Sequence, residues 1–332
     1  MHRRLSLGRW SGPRLAGSVV VCAALLEAVC RFGLGLGDPP LVTRDSQCGY
    51  RFAPSQSVER FGNTVSYDAN SVRGNTAEHL AENCLKTLVI GDSVLNGGTL
   101  TDDRNTATGL LNGLELDFSG KPLAFLNLSA GSWAPPQQLA YLKAYGTLNA
   151  KLVVLVLSSH DALGPAAGDN PPFPTQKPWT AAEELLLRYG LGVRRHLLGT
   201  DAKLGWQAAA AQVPEAVRKK SDPTAVSTWC LNEMITLCNE KQIAVAAVLW
   251  PTREESKKGE WDGTAATIRR VLDEQGTPTA DLLSNVAATP GFSSRCYRDS
   301  IHPTEEGQRL IAGSILELTL DHLIQHSPSE NR

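Results

Sequence analysis

The feature that most constrains this chain is a series of short apolar runs, each ending in small or polar residues. Thr87–Ile90 (TLVI) runs into Gly91-Asp92-Ser93, and Leu123–Leu128 (LAFLNL) into Ser129-Ala130-Gly131. Leu152–Leu157 (LVVLVL) runs into Ser158-Ser159-His160-Asp161, and Ile243–Leu249 (IAVAAVL) into Trp250-Pro251. Each run is apolar at both odd and even positions. A strand with one wet face would alternate, so these are strands covered on both sides, as in a parallel sheet between helices. Helical patterns separate or follow them at Thr106–Leu116, Pro135–Tyr145, Ala225–Lys241, Ala265–Gln275 and Glu305–Ile324. Strand–helix alternation predicts a doubly wound α/β domain.

The stretch before the first run, 38–80, carries Pro39, Pro40 and Pro54 with several Asn and Gly, and is expected to be irregular. The stretch 162–224 is too long for a connection. Its start, Pro165–Pro178, is rich in Pro and Gly; Ala181–Leu198 follows as a helix, and Asp201–Lys220 as a poorer one interrupted by Pro214. It is expected to be an insertion over one edge of the sheet, in the position of a lid. The expected organisation is therefore 1–37 as flank and anchor, 38–80 as lead-in, and 81–332 as the α/β domain carrying the insertion.

The first forty residues have a different character. Arg3, Arg4, Arg9 and Arg14 precede an apolar run, Leu15–Val29, whose only charge is Glu27; Arg31 follows. A basic flank followed by an apolar stretch is the layout of a signal sequence or signal anchor. The segment Leu15–Leu36 is long enough to cross a bilayer, with Glu27 and Arg31 paired at i,i+4 near its far end. The basic flank stays cytoplasmic, which sends the body across the inner membrane into the periplasm or its equivalent. Neither Cys22 nor Cys30 has a lipobox before it, and no clean small-x-small cleavage site follows. An uncleaved single-pass anchor is the favoured reading, with secretion after cleavage as the alternative. In an oxidising compartment Cys48, Cys84, Cys230, Cys238 and Cys296 are read as packing residues with at most one disulfide. None has metal-ligand spacing. With 32 Lys+Arg against 34 Asp+Glu, the charge balance argues against nucleic acid as a partner.

In an open parallel sheet, ligands bind outside the carboxyl ends of the strands. The residues to read are thus Ser93, the 129–133 loop, His160-Asp161 and Trp250, together with Asp299-Ser300-Ile301-His302-Pro303 just before the last helix. A serine hydroxyl is a weak nucleophile until a base takes its proton. His302 is suited to be that base, and Asp299 to hold its tautomer. Trp133 and Trp250 lie beside the expected site, where they either stack on a sugar face or pack in the core.

These residues together resemble the SGNH, or GDSL-type, hydrolase superfamily. The carriers are Leu88-Val-Ile-Gly-Asp-Ser93, the strand and GDS triplet, and Asp299-Ser-Ile-His302-Pro303, the D-x-x-H-P block. Tyr50–Gly74, ending in Asp68-Ala-Asn-Ser-Val-Arg-Gly74, resembles a lead-in found in exported members. The likeness covers roughly 48–325. It implies a flavodoxin-like three-layer sandwich and an acyl-enzyme mechanism without metal or other cofactor, with Ser93, His302 and Asp299 as the triad. The oxyanion is then held by the amides of Ser93 and of Gly131 or Ser132. The third block departs from G-x-N-D: Ser158-Ser159-His160-Asp161 has His160 where the family's Asn donates to the oxyanion, a role one imidazole N–H is able to fill. The absence of G-x-S-x-G argues against the α/β-hydrolase alternative.

The expected activity is that of an esterase or deacetylase acting on an acylated cell-surface or exported polysaccharide, or on a small ester. Two alternatives stay open. One is an exopolysaccharide O-acetyltransferase with the same triad, supplied by a multi-span acyl-donor membrane protein. The other is a non-catalytic glycan-binding or assembly factor.

Overall fold

The computed structural model describes residues 12–74, 83–164, 174–186, 209 and 211–326. The basic flank 1–11 and most of the expected insertion, 165–173 and 187–208, lie outside the described residues. Two compact units are present. One comprises 1–39 and 176–199, the other 40–175 and 200–332.

In the smaller unit, helix α1 spans Gly12–Ala28 and runs into a wider helical turn, Val29–Gly33. Within it, Ala16–Gly33 is long and apolar enough to cross a membrane. The chain returns to this unit at residue 176 and forms a short helix, Ala181–Glu184, capped by Thr180. The start of this return belongs with the N-terminal helix. The expected single insertion is therefore divided between the two units.

The larger unit opens with hairpins rather than the irregular lead-in expected from the sequence. β1 (Val42–Asp45) pairs with β2 (Gly49–Phe52), and β3 (Gln56–Arg60) with β4 (Asn63–Tyr67), both antiparallel. The second hairpin turns on Phe61 and Gly62, both at positive φ, as a two-residue hairpin turn requires. The Asp45 carboxylate organises the first turn by accepting from the amides of Gln47 and Cys48. The scattered Pro and Asn masked strands this short, and the polar faces between them kept the runs from standing out.

The main sheet contains β5 (Leu85–Gly91), β6 (Asp117–Phe118), β7 (Lys121–Ser129), β8 (Leu152–Leu157), β9 (Ala244–Leu249) and β10 (Thr279–Asp281). Their spatial order is β10-β9-β8-β5-β7-β6. All neighbours are parallel except the edge pair β6–β7. Leaving out β6, the order is 2-1-3-4-5, the flavodoxin-like winding, which reverses direction at β5.

Alternate residues of each strand feed opposite cores. Leu88, Ile90, Leu126, Leu128, Val153, Leu155 and Val245 face one core. There they meet α4 (Pro135–Tyr145), α5 (Ala225–Glu240) and α6 (Gly263–Glu274). Val89, Phe125, Val154, Val156 and Val248 face the other core. That face is covered by α3 (Ala107–Asn112) and α7 (Glu305–Gln325) through Leu111, Ile311 and Ile315. Two cores explain why the runs were apolar at both parities. The seven cysteines are all free thiols. Cys230 and Cys238 are buried in α5, where lack of solvation pushes both thiols up.

Candidate active site

The sheet brings the ends of β5, β7 and β8 side by side at its winding reversal, and each end supplies one piece of the site. After β5 the chain turns into a single helical turn, α2 (Ser93–Asn96). Each residue of the Gly-Asp-Ser triplet has a separate physical task. A Cβ on Gly91 would lie 2.8 Å from that of Leu95, so the turn can close only on glycine. Asp92 caps the turn, its Oδ1 accepting from the Val94 amide at 2.8 Å. Ser93 is then left half-buried at the first helical position.

His302 arrives from the loop before α7. Its Nε2 is 2.9 Å from Ser93 Oγ, and its Nδ1 is 2.7 Å from Asp299 Oδ2. Asp299 Oδ1 accepts from the amides of Ile301 and His302, both at 2.9 Å. The carboxylate is therefore fixed by its own loop before it orients the ring. Partial burial pushes the Asp299 carboxyl up. The two amides and the imidazole outweigh that push and hold it below its ordinary value. The structure thus brings Ser93, His302 and Asp299, far apart in sequence, into one hydrogen-bonded line.

The loop after β7 places Gly131 and Ser132 beside α2. Among the described residues, the N–H groups of Ser93, Gly131 and Ser132 have no protein acceptor. The peptide joining Gly131 to Ser132 is oriented from below. The buried Tyr50 hydroxyl donates to the Gly131 carbonyl. In a trans peptide the N–H points opposite to the C=O, so the Ser132 N–H is turned away from Tyr50 and outward. Ser132 itself sits at φ 64°, a left-handed conformation, and is half-buried. The sequence left Gly131 and Ser132 as equals; this peptide favours the Ser132 amide.

The structure differs from the sequence-based expectation for His160. Its Nε2 is 2.7 Å from Asp92 Oδ2, and its Nδ1 is buried without a hydrogen-bond partner. Nε2 is thus engaged by Asp92, and Nδ1 is enclosed away from solvent. Burial pulls the imidazole down, but the charges of Asp161, Asp92 and Glu255 outweigh it and push it up to about 9. The protonated ring is thus favoured by its carboxylate neighbours, beside the turn that carries Ser93. Burial also pushes Asp92 up, but its hydrogen bond from His160 and the Val94 amide more than offset this and hold it low. Burial pushes the Asp161 carboxyl above its ordinary value, while the Ser158 amide ties one of its oxygens. Donor atoms of Asp92, His160 and Asp161 lie within 4.8 Å of one another. A 2.7 Å contact between His160 Nε2 and Asp92 Oδ2 is a hydrogen bond, too short for an ion bound to both.

Both tryptophans expected at the substrate site are core residues, which corrects that expectation. Trp133 is 2 % and Trp250 0 % exposed. Their indole N–H groups donate to Tyr50 O and Ile301 O. Rings enclosed on both faces cannot stack on a sugar. Trp250 supports the His302 loop from beneath, tilted against Tyr297 with ring centroids 5.2 Å apart.

Several residues that hold the site were not legible in the sequence. Arg298 donates to Pro303 O at 2.9 Å and to Gly97 O at 3.3 Å, tying the histidine loop to the serine turn. Gln308, buried in α7, donates to Val94 O and accepts from the Ala107 amide, both at 2.8 Å. Arg73, wholly buried, donates to Asn96 O, Gly98 O and Thr101 O and pairs with Asp103. Arg73 ends the Tyr50–Gly74 segment already noted in the sequence, but nothing local marked it as a brace for the loop after Ser93. The adjacency of Arg298 to Asp299 was the one available signal for that clamp.

The flavodoxin-like fold and the order of the blocks agree with the resemblance drawn from the sequence. No family model and no curated protein matches the chain. Solved structures do resemble it. An α/β-hydrolase enzyme from the metagenome of Lake Arreo, Spain, is 16 % identical, over 72 % of this chain and 96 % of that one, with a TM-score of 0.43. A two-domain esterase active on acetylated mannans is 12 % identical with a TM-score of 0.45; the match covers 74 % of this chain and 51 % of that one. A member of the lipolytic G-D-S-L family from Veillonella parvula is 12 % identical, over 71 % and 99 % of the two chains, with a TM-score of 0.40.

Proposed function

We propose that the protein is an SGNH-type serine esterase that removes acyl groups through an acyl-enzyme. The observation that carries this is the unbroken line from Asp299 through His302 to Ser93 Oγ. Ser93 Oγ attacks the ester carbonyl carbon while His302 Nε2 takes its proton. The oxyanion is held by the amides of Ser93 and of the Gly131–Ser132 loop, each donor typically contributing about 3 kcal/mol. His302 returns the proton to the departing alkoxide. It then deprotonates a water that attacks the acyl-enzyme, releasing the acid and restoring Ser93.

The Asp299 and His302 side chains are 53 % and 40 % exposed, so water reaches the base directly. That exposure suits water as the acyl acceptor. The proposed substrate class is an acylated carbohydrate, and its proposed place outside the cytoplasm is supported by the apolar N-terminal helix and its basic flank.

The test is turnover of a small acetyl ester and labelling by a serine-directed phosphonate. Ser93→Ala is expected to abolish both with the fold intact. Asp299→Asn is expected to lose less turnover than Ser93→Ala. Labelling that persists in Ser93→Ala would refute the assignment of the nucleophile. Acyl transfer to an added oligosaccharide in preference to water would move the reading to an O-acetyltransferase. A wild-type protein that neither labels nor turns over would leave the non-catalytic glycan-binding role.

A further inference from the structure

The smaller unit poses a problem of solvation. In α1, Val19, Val20, Val21 and Leu25 are all more than half exposed, and the window Ala16–Gly33 is 6 % buried with a mean hydropathy of 1.7. Such a surface is satisfied by lipid. Glu27 lies inside the same window, and a carboxylate in hydrocarbon is costly. It is not left alone. Arg31 Nη2 donates to it at 2.8 Å, and the amides of Ala181 and Ala182 donate to it at 3.0 and 2.9 Å. These donors offset its charge, so Glu27 is tolerated inside the window, near the end where Arg31, Asp38 and Lys177 gather.

That end is also where the returning segment is fastened. Besides Glu27, the Glu184 carboxylate accepts from the Gly37 amide at 2.7 Å, and Lys177 pairs with Asp38 at 2.6 Å. Ala181 packs against Cys30 and Leu36. Three polar ties and a small apolar cluster thus hold 176–186 to the end of the helix. From this fastened segment Trp179 projects 93 % exposed and Leu186 50 % exposed, while Phe32 is 84 % exposed on the turn after α1. Apolar and aromatic side chains held out at the end of an apolar helix match the aromatic belt of membrane proteins.

We infer that residues 176–186 are a second membrane contact, in which Trp179 and Leu186 sit with Phe32 in the headgroup region of the bilayer that α1 crosses. The occupant of this surface is lipid, because the surface continues the exposed apolar face of α1, which is long and apolar enough to cross a bilayer. The inference rests on α1 being a span.

The test uses the full-length protein in nanodiscs of phosphatidylcholine and phosphatidylglycerol, with bromines placed either near the headgroups or deep in the acyl chains. The chain has seven tryptophans, so the signal of interest is the difference between wild type and Trp179→Phe. At 93 % exposure the Trp179 ring makes almost no protein contacts, and the variant is expected to fold unchanged. The difference emission is expected to be blue-shifted from that of tryptophan in water and quenched more by shallow bromines than by deep ones. A water-like difference spectrum, unquenched by either, would overturn the inference. Alkaline carbonate extraction separates the two ways of failing. Protein retained in the membrane with Trp179 unquenched refutes the contact alone, whereas protein released refutes the span and the contact with it.

Discussion

Replacing His160 with Asn probes the charge beneath the serine turn. In the folded protein the imidazole rises from 6.5 to about 9, because three carboxylates face it. At about 1.4 kcal/mol per tenfold in proton affinity, this amounts to ~3 kcal/mol of stability. The interaction is shared with Asp161, so it is counted once for the pair. Because the folded value is the higher one, the contribution is complete below pH about 6.5 and is lost as pH rises through about 9. Asn carries no charge, so the variant lacks this window. It instead leaves Asp92 and Asp161 buried without their cation, and both carboxyls then hold protons to higher pH. Its loss of stability moves to the acid side, between the ordinary carboxylate range and neutrality. For a domain of this size ~3 kcal/mol is roughly 6–12 °C in Tm. Thermal unfolding from pH 5 to 9.5 is therefore expected to show a fall between pH 6.5 and 9 in wild type that His160→Asn lacks. In parallel, kcat on an acetyl ester is expected to change less than about tenfold per folded molecule, since Nε2 is held by Asp92 and Nδ1 is enclosed. Loss of a true donor would cost about 10²–10³. Parallel Tm–pH curves would refute the charge argument. A kcat loss of that larger size in His160→Ala, with the Tm profile unchanged, would restore His160 to the oxyanion hole.

Two further substitutions test how the site is held. Tyr50→Phe removes the hydroxyl that orients the Gly131–Ser132 peptide; it should lower kcat roughly 10–100-fold with KM little changed. An unchanged kcat would mean the loop holds its amide without Tyr50. Gly307→Ala would place a Cβ 2.6 Å from Pro303 Cβ, 2.7 Å from Cys296 O and 2.9 Å from Trp250 Cη2. It should cost about 1–3 kcal/mol, read as Tm, and weaken activity by shifting the loop that carries His302. Wild-type Tm and kcat together would show that α7 moves aside freely.

The sequence by itself determined the architecture of the larger unit. Runs of four to seven residues apolar at both parities read as strands buried on two faces, and Leu152–Leu157 and Pro135–Tyr145 form with the predicted bounds. It also marked Ser93, His302 and Asp299, because a strand-to-helix turn and a short Asp-to-His loop are local patterns. What it left undecided depended on contacts between distant segments. The direction of a peptide plane at Ser132 is set by a hydroxyl on Tyr50. Burial of Trp133 and Trp250 is set by which elements close over them, and a lone Trp beside a strand end carries no sign of that. Likewise His160 Nε2 is held by Asp92, which sits on another strand's end. Side-chain type and periodicity are written along the chain. Orientation, charge state and enclosure are properties of neighbours, and those exist only once β5, β7 and β8 lie side by side.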